Sequence, residues 1–538
     1  MLAIAKKNGK WGQAPPNKRF ERTRGTSPLA AQPNVRPKNK GVKMKLNDIF
    51  FGDPDGEKES AFENAAALFY DNDNMIESLS SKRKYFVVGR KGAGKTLLCY
   101  AYKESVENEN HTVDIITCKD ISLEEMLQLK GSDDVHSEYK LFWEWMIYLI
   151  FAKIIAVNRD TTIPEYNSIV DFLENNQISR DINAKKVIEE TKKANFGGSI
   201  KGVLHTERGS EVKLANAEYF EYLGDLRDKV HACLRQTSLE HEVIVDNLDD
   251  RFSFNSTNYF SWLTSFISAV NDINVDFSKL DISARIVGVL RTDILACLNF
   301  PNSNKILMSS KVEIDWGDLE DRTSPLVKMI VHKARKSCPE LEELDDRGVL
   351  HRLFKGTDSE IDRLISFILE RTQLRPRDVI AFFNFAKERN GKMPYFIFDH
   401  FSSQLKSYSE YLLDEIKNEM SGHISDEDIN ELFTYISEFN ITEFPYDKFE
   451  KFLSEERGLN RDKIRTAVNA LYNYGIIINH WTIKKENNAA AVSRTKCNRF
   501  SSQYRTIHFP CGIKSMHLSR PVIYFFFHTT DFLCSHFR

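Results

Sequence analysis

The segment Gly89-Arg90-Lys91-Gly92-Ala93-Gly94-Lys95-Thr96 follows the apolar run Tyr85-Phe86-Val87-Val88 and precedes Leu97-Leu98-Cys99-Tyr100-Ala101. This pattern reads as a strand, a glycine loop and a helix in immediate succession. No other stretch restricts the fold as much, because a phosphate-binding loop requires that order. Glycines let the backbone turn so that successive N–H groups face an anion, and the helix that follows adds the positive end of its dipole. A triphosphate suits such a cradle. Lys95 would reach its β- and γ-phosphates, and the Thr96 hydroxyl would complete the oxygen shell of Mg²⁺. The competing reading, a glycine-rich turn that binds nothing, is disfavoured by the strand in front of it.

Four further runs have strand character: residues 112–117, 241–246, 284–290 and 311–316. The second ends in Asp246, where a strand beside the glycine loop would deliver a carboxylate to the Mg²⁺ shell. Asp249, one turn on, is the candidate for orienting or deprotonating an attacking water. Arg291-Thr292-Asp293 closes the next run, and either senses a γ-phosphate or caps the following helix. Five strands separated by helical segments indicate an α/β fold, a mainly parallel five-stranded sheet with helices on both faces and ligand at the strands' carboxyl ends.

This expected nucleotide domain spans 44–335. A lead-in helix from Ala61 to Tyr70 lies over an adenine or simply packs, and a polar insertion lies near 158–215. Beyond it, 336–424 reads as a helical lid. There Arg375-Pro376-Arg377-Asp378 puts a proline at a helix start, and Arg375 is the first choice for neutralising charge on a γ-phosphate. Both arginines could equally be surface residues at a helix entrance.

Residues 425–487 read as a winged-helix-like unit. A capping box starts at Ser425, breaks fall at Gly458 and Gly475, and residues 476–478 and 481–483 form the wing. Arg461, Lys463 and Arg465 lie off its apolar stripe, open either to DNA or to a packing role. Residues 488–538 read as a tail, with the apolar run 522–527 an edge strand or part of that tail.

The first 43 residues carry eleven Lys and Arg against one acid, Glu21. Such a segment buries too little to fold alone, and is either a basic arm or a disordered extension. Part of it, from Pro15 to Arg24, resembles a translated recombination repeat of the kind that flanks integron cassettes, which would make Met44 the start. The net charge of −3 argues against a general nucleic-acid coat. Eight cysteines without CxxC spacing indicate neither a disulfide framework nor a zinc site, which suits a reducing cytoplasm. The apolar stretch 141–157 is interrupted by Glu144 and Lys153, so we expect a buried core helix and no membrane span.

With these motifs in order, the chain resembles the KAP- and STAND-like branch of P-loop ATPases. More narrowly it resembles a bacterial family that pairs an opening Phe51-Gly52 and Glu57 with them. The resemblance implies an ATP-driven, Mg²⁺-dependent ATPase switch that self-associates and serves in defence against mobile DNA, while the C-terminal helical region is read from its own residues as open to a DNA or protein partner. Its catalytic set would be Lys95, Asp246 and Asp249, with residues 89–96 and Arg375 on the nucleotide and Thr96 and Asp246 on the metal. One departure is Asn247, where many relatives of the wider class carry glutamate, and it puts rapid hydrolysis in doubt. A nucleotide-gated binding module with little turnover is the alternative. A small-molecule kinase fits less well, since such folds do not need the long helical C-terminal third.

Overall fold

The computed structural model describes residues 44–480, apart from 63–64, 120–134, 159–162, 194–218, 249–256, 299–302, 319, 422, 440 and 442, together with 522–525. The expectations for 1–43 and Asp249 fall outside the described residues.

Five strands form one parallel sheet: β1 Phe86–Gly89, β2 His111–Thr117, β3 Glu240–Asp246, β4 Ala284–Arg291 and β5 Lys311–Ile314. They lie in the order β2-β3-β4-β1-β5. From β1 the chain crosses to the far edge, works back to β4 beside β1, and then places β5 on the other side of β1. The order therefore reverses at β1, and ligand crevices in open parallel sheets form outside the carboxyl ends at such a point.

The central strands β3, β4 and β1 are buried on both sides because both faces are covered. Alternate residues enter two separate cores. Val87, Ile244, Val287 and Val289 face one. Phe86, Val88, Val243, Val245, Ile286 and Leu290 face the other. The second core is roofed by helices Val135–Asn158, Tyr219–Gln236 and Thr257–Lys279. Within the first of these, Tyr139–Asn158 is long and apolar enough to cross a membrane by length and composition, and it is mostly buried inside the protein. Its Lys153 is paired with Glu190 from helix Ala184–Lys193. The polar insertion thus contains ordered helices, among them Tyr166–Asn175, that pack on this core helix. Their amphipathic stripes are short, which hid them in a mostly polar stretch.

The first core holds helix Lys95–Val106, which starts at the end of the glycine loop, and helix Pro325–Ser337. It continues without a break through helices Asp358–Leu369, Pro376–Asn390 and Leu405–Met420 to Ile477. The helical region is therefore packed onto the sheet.

The last module contains helices Asp426–Phe439, Tyr446–Lys451 and Arg461–Asn473 and an antiparallel sheet ordered β6-β8-β7, with β6 Glu443–Pro445, β7 Ile477–His480 and β8 Val522–Phe525. β7 pairs with β8, and the expected wing residues 481–483 lie outside the described residues. The edge-strand expectation for the run 522–527 is corrected. Part of the assumed tail thus forms the central strand of this sheet. A run of β-branched and aromatic residues finds its partners by register, and sequence separation does not reveal them.

Candidate functional site

The glycine loop takes the shape its composition allows. Gly92 and Gly94 have φ of +78° and +93°, in the region that side chains with a Cβ rarely adopt. The tip is held from beneath, since the Trp316 indole N–H donates to the Ala93 carbonyl at 2.9 Å. Lys95 folds back, its ammonium donating to the Gly89 and Arg90 carbonyls at 3.2 and 3.1 Å. Thr96 donates its hydroxyl to Asp246 Oδ2 at 2.8 Å, although β4 lies between β1 and β3. A hydroxyl and a carboxylate in contact at a helix start form an oxygen pair suited to a small hard cation.

Around them is a cavity of about 130 Å³. Its lining combines polar residues, among them Lys91, Lys95, Thr96, Asp246 and Asn247, with the apolar side chains of Phe69, Trp316, Met329 and Ile380. Tyr70, the end of the expected lead-in, is also part of the lining.

Asn247 has φ +59°, a left-handed conformation that asparagine tolerates better than most residues. Its amide donates to Thr117 Oγ1 at 3.2 Å, and its own N–H donates to Asp246 Oδ1 at 2.8 Å. The turn therefore favours asparagine over glutamate at this position. Cys99, one helical turn below Lys95, is buried, and burial followed by the Asp246 charge pushes its thiol well above the ordinary range.

The two lid arginines separate in a way the sequence does not show. Arg375, the expected phosphate ligand, is 3% exposed and does not line the cavity. Its guanidinium donates to both Asp378 oxygens at 2.9 and 3.1 Å, to Glu419 at 2.5 Å and to the Lys91 carbonyl at 3.3 Å. Desolvation acts to lower its pKa, but the Asp378 and Glu419 charges outweigh it and hold Arg375 above its usual value. It supports the loop from outside. Arg377 lines the cavity instead, its backbone N–H donating to the Gly92 carbonyl at 3.4 Å and its guanidinium paired with Glu415 at 2.7 Å. Arg90 also points away from the cavity, toward Gln373.

A buried ion pair joins the lead-in to the cavity wall. Lys333 donates to Glu59, both side chains 1% exposed, and Glu59 Oε2 also accepts the Asp53 N–H at 2.9 Å. Burial pulls the Lys333 pKa down and Glu59 opposes it. Gly52, at φ +111°, lets the backbone pass this pair, because a Cβ there would lie 3.0 Å from Glu59 Oε2. The acid that matters after Phe51-Gly52 is thus Glu59. Glu57, singled out from the sequence, makes a half-exposed pair with Lys119 at 2.9 Å. A lysine on the same helical face as Leu326, Met329 and Ile330 was the available signal for the pair.

Asp293, at the end of β4, accepts from Arg291 at 3.0 Å and from His423 at 3.1 Å. Against desolvation, which acts to raise it, the His423 hydrogen bond and the Arg291 charge hold its pKa far below the carboxylate range. Arg461, Lys463 and Arg465 are exposed on helix Arg461–Asn473, while Ile464, Ala467 and Leu471 are buried.

A family model described as the FunZ-associated C-terminal helical domain matches residues 324–417. That span contains Met329, Lys333, Pro376, Arg377 and Ile380, all of which line the cavity. No curated protein matches. Among solved structures, a chain in the structure of Drosophila ORC bound to DNA is similar at 10% identity, over 95% of this chain and 96% of that chain, with a TM-score of 0.31. A likeness that loose carries no conclusion about fold or function.

Proposed function

We propose that this chain is an ATP- and Mg²⁺-binding P-loop switch of the KAP/STAND-like branch that hydrolyses ATP, with a helical lid and a winged-helix-like C-terminal module. The observation that carries the reading is the 2.8 Å contact between Thr96 and Asp246 beneath the glycine loop. Strands separate in order bring together a hydroxyl and a carboxylate at the start of the helix, two oxygens of the kind that hold a small hard cation. Bound Mg²⁺ would neutralise charge on the β- and γ-phosphates.

On this reading the backbone N–H groups of 89–96 hold the phosphates, and Lys95 exchanges two carbonyls for phosphate oxygens. Thr96 and Asp246 hold the metal, and Arg377 replaces Arg375 as the lid's cation facing the ligand. The apolar and aromatic side chains of the lining, Phe69, Tyr70, Trp316, Met329 and Ile380, are the choice for holding the base. Asp249 remains the choice for positioning water. The resemblance extends the proposal to self-association, cytoplasmic location and defence against mobile DNA, with a DNA or protein partner at the C-terminal module.

Asn247 favours a second reading, a nucleotide-gated binding module with little turnover. A carboxamide accepts no proton at neutral pH, so the residue beside the metal-holding aspartate cannot act as a base.

Turnover by purified protein, with nucleotide affinity measured in parallel, separates the two. ATP hydrolysis lost in Lys95→Ala and Asp246→Ala supports the enzyme. Tight Mg²⁺-dependent binding with turnover no greater than that of Lys95→Ala supports the gated module. Absence of nucleotide binding would sink both.

A further inference from the structure

Three side chains with ligating atoms converge at the end of the sheet opposite the glycine loop. His111 opens β2, and Glu240 and Glu242 stand at the first and third positions of β3. His111 is registered against Glu240 and Val113 against Glu242, so a spacing of two along parallel strands puts all three side chains on one face. A ring nitrogen of His111 and one carboxylate oxygen from each glutamate lie within 4.8 Å of one another. Asp246, at the far end of β3, is about 20 Å from Glu240 at the rise of an extended strand.

Two observations separate this cluster from solvated surface charge. His111 Nε2 is shut off from solvent and has no hydrogen-bond partner among the described residues, where buried polar atoms are normally satisfied. It faces Glu242 Oε1 at 3.5 Å. That is long for an N–H···O bond, but close to the ~3.4 Å that separates two ligand atoms of a tetrahedral Zn²⁺. The second observation is how Glu242 is held. Its other oxygen, Oε2, accepts from the Tyr102 hydroxyl at 2.9 Å and from Arg285 at 2.7 Å, which turns Oε1 toward the ring. Outer partners of this kind fix a ligating carboxylate. The Arg285 charge is shared with the Leu79, Ser81 and Lys84 carbonyls at 2.6, 3.0 and 2.9 Å.

We propose that His111, Glu240 and Glu242 bind a Zn²⁺ ion that pins the edge strand β2 to β3. One imidazole and two carboxylates suit a first-row divalent ion, and three protein ligands leave the fourth tetrahedral position to water. Glu240 completes the set by leaving Lys82, its ion-pair partner at 3.2 Å. That lysine is 63% exposed, and surface pairs of this kind are weak. The site is independent of what the glycine loop binds.

The test titrates Zn²⁺ into the full chain in excess Mg²⁺, which takes the hard oxygen sites, with affinity read by calorimetry. Co²⁺ in place of Zn²⁺ reports a tetrahedral site by its visible spectrum. His111→Asn and Glu240→Gln should each weaken Zn²⁺ binding at least tenfold and remove the Co²⁺ spectrum. Lys82→Met, which frees Glu240, should tighten binding about threefold. Glu242→Gln is avoided because it would weaken the buried pair with Arg285. Circular dichroism checks that each variant is folded, and Glu240, 28% exposed, is the position most tolerant of change.

Zn²⁺ uptake by wild type that Glu240→Gln loses supports the site. Absence of uptake by wild type overturns it. So does uptake that Glu240→Gln leaves undiminished, which marks an adventitious ion held elsewhere on the chain. Affinity unchanged or lowered in Lys82→Met overturns the part assigned to Glu240. If His111→Asn misfolds, wild type and Glu240→Gln still decide the question.

Discussion

Replacing Lys333 by methionine tests how the cavity wall is held. The substitution keeps the length of the side chain and removes the charge paired with Glu59, the only such partner among the described residues, in a place where each side chain is 1% exposed. Glu59 would keep one hydrogen bond, from the Asp53 N–H at 2.9 Å. Breaking a buried pair by removing one partner costs about 3–5 kcal/mol, because a desolvated charge is left behind. The double variant Glu59→Leu/Lys333→Met removes that charge as well. Its remaining loss is the acceptor for a part-buried N–H, about 1 kcal/mol. The double variant should therefore be about 2–4 kcal/mol more stable than Lys333→Met alone. Urea unfolding at pH 7 followed by tryptophan fluorescence reads it as shifts in the first midpoint. If the double variant is as unstable as Lys333→Met, the stranded-charge argument fails.

Three other outcomes follow from the same geometry. Gly94→Ala meets no neighbour but sits at φ +93°, so it should cost about 1 kcal/mol or more and weaken nucleotide binding, whereas Gly224→Ala, in open space within helix Tyr219–Gln236, should stabilise by about 0.5–1 kcal/mol. Paired thermal melts decide this, and equal effects would refute it. Asp246→Asn should weaken nucleotide binding at least tenfold in Mg²⁺ and much less in excess EDTA, as read by calorimetry.

Glu242 is buried against Arg285 at 2.7 Å and lies 3.5 Å from the His111 ring, and despite desolvation these two neighbours hold its pKa below the ordinary carboxylate value. Its folded value is lower than its unfolded one, so the stability it adds is complete above about pH 4.5 and is lost as pH falls through the folded value. Glu242→Gln should therefore be destabilised at pH 7, with the difference from wild type narrowing in acid. A pH-independent difference, measured by denaturation between pH 3 and 7, would count against this assignment.

Much of the sheet was legible along the chain. The three central strands, β3, β4 and β1, are buried almost throughout, and each expected run matches an observed strand to within two residues at either end. The glycine loop was legible because its chemistry is local: positive φ at Gly92 and Gly94 and a helix starting at Lys95 are properties of eight neighbouring residues. Ser425 accepting the Asp428 N–H, and the left-handed Gly458 and Gly475, were likewise readable at short range.

The pairings were not. Arg375 and Arg377 stand two apart on one helix start, and nothing in their spacing says that Asp378 and Glu419 occupy the first while the second lines the cavity. Glu59 meets Lys333 across 274 positions, and β8 enters between strands that precede it by more than forty residues. Local sequence decided which backbone could turn around an anion and which segments would be strands. Only tertiary packing decided which charges were stripped of water, because desolvation depends on every neighbour brought in by the fold, and those neighbours come from distant parts of the chain.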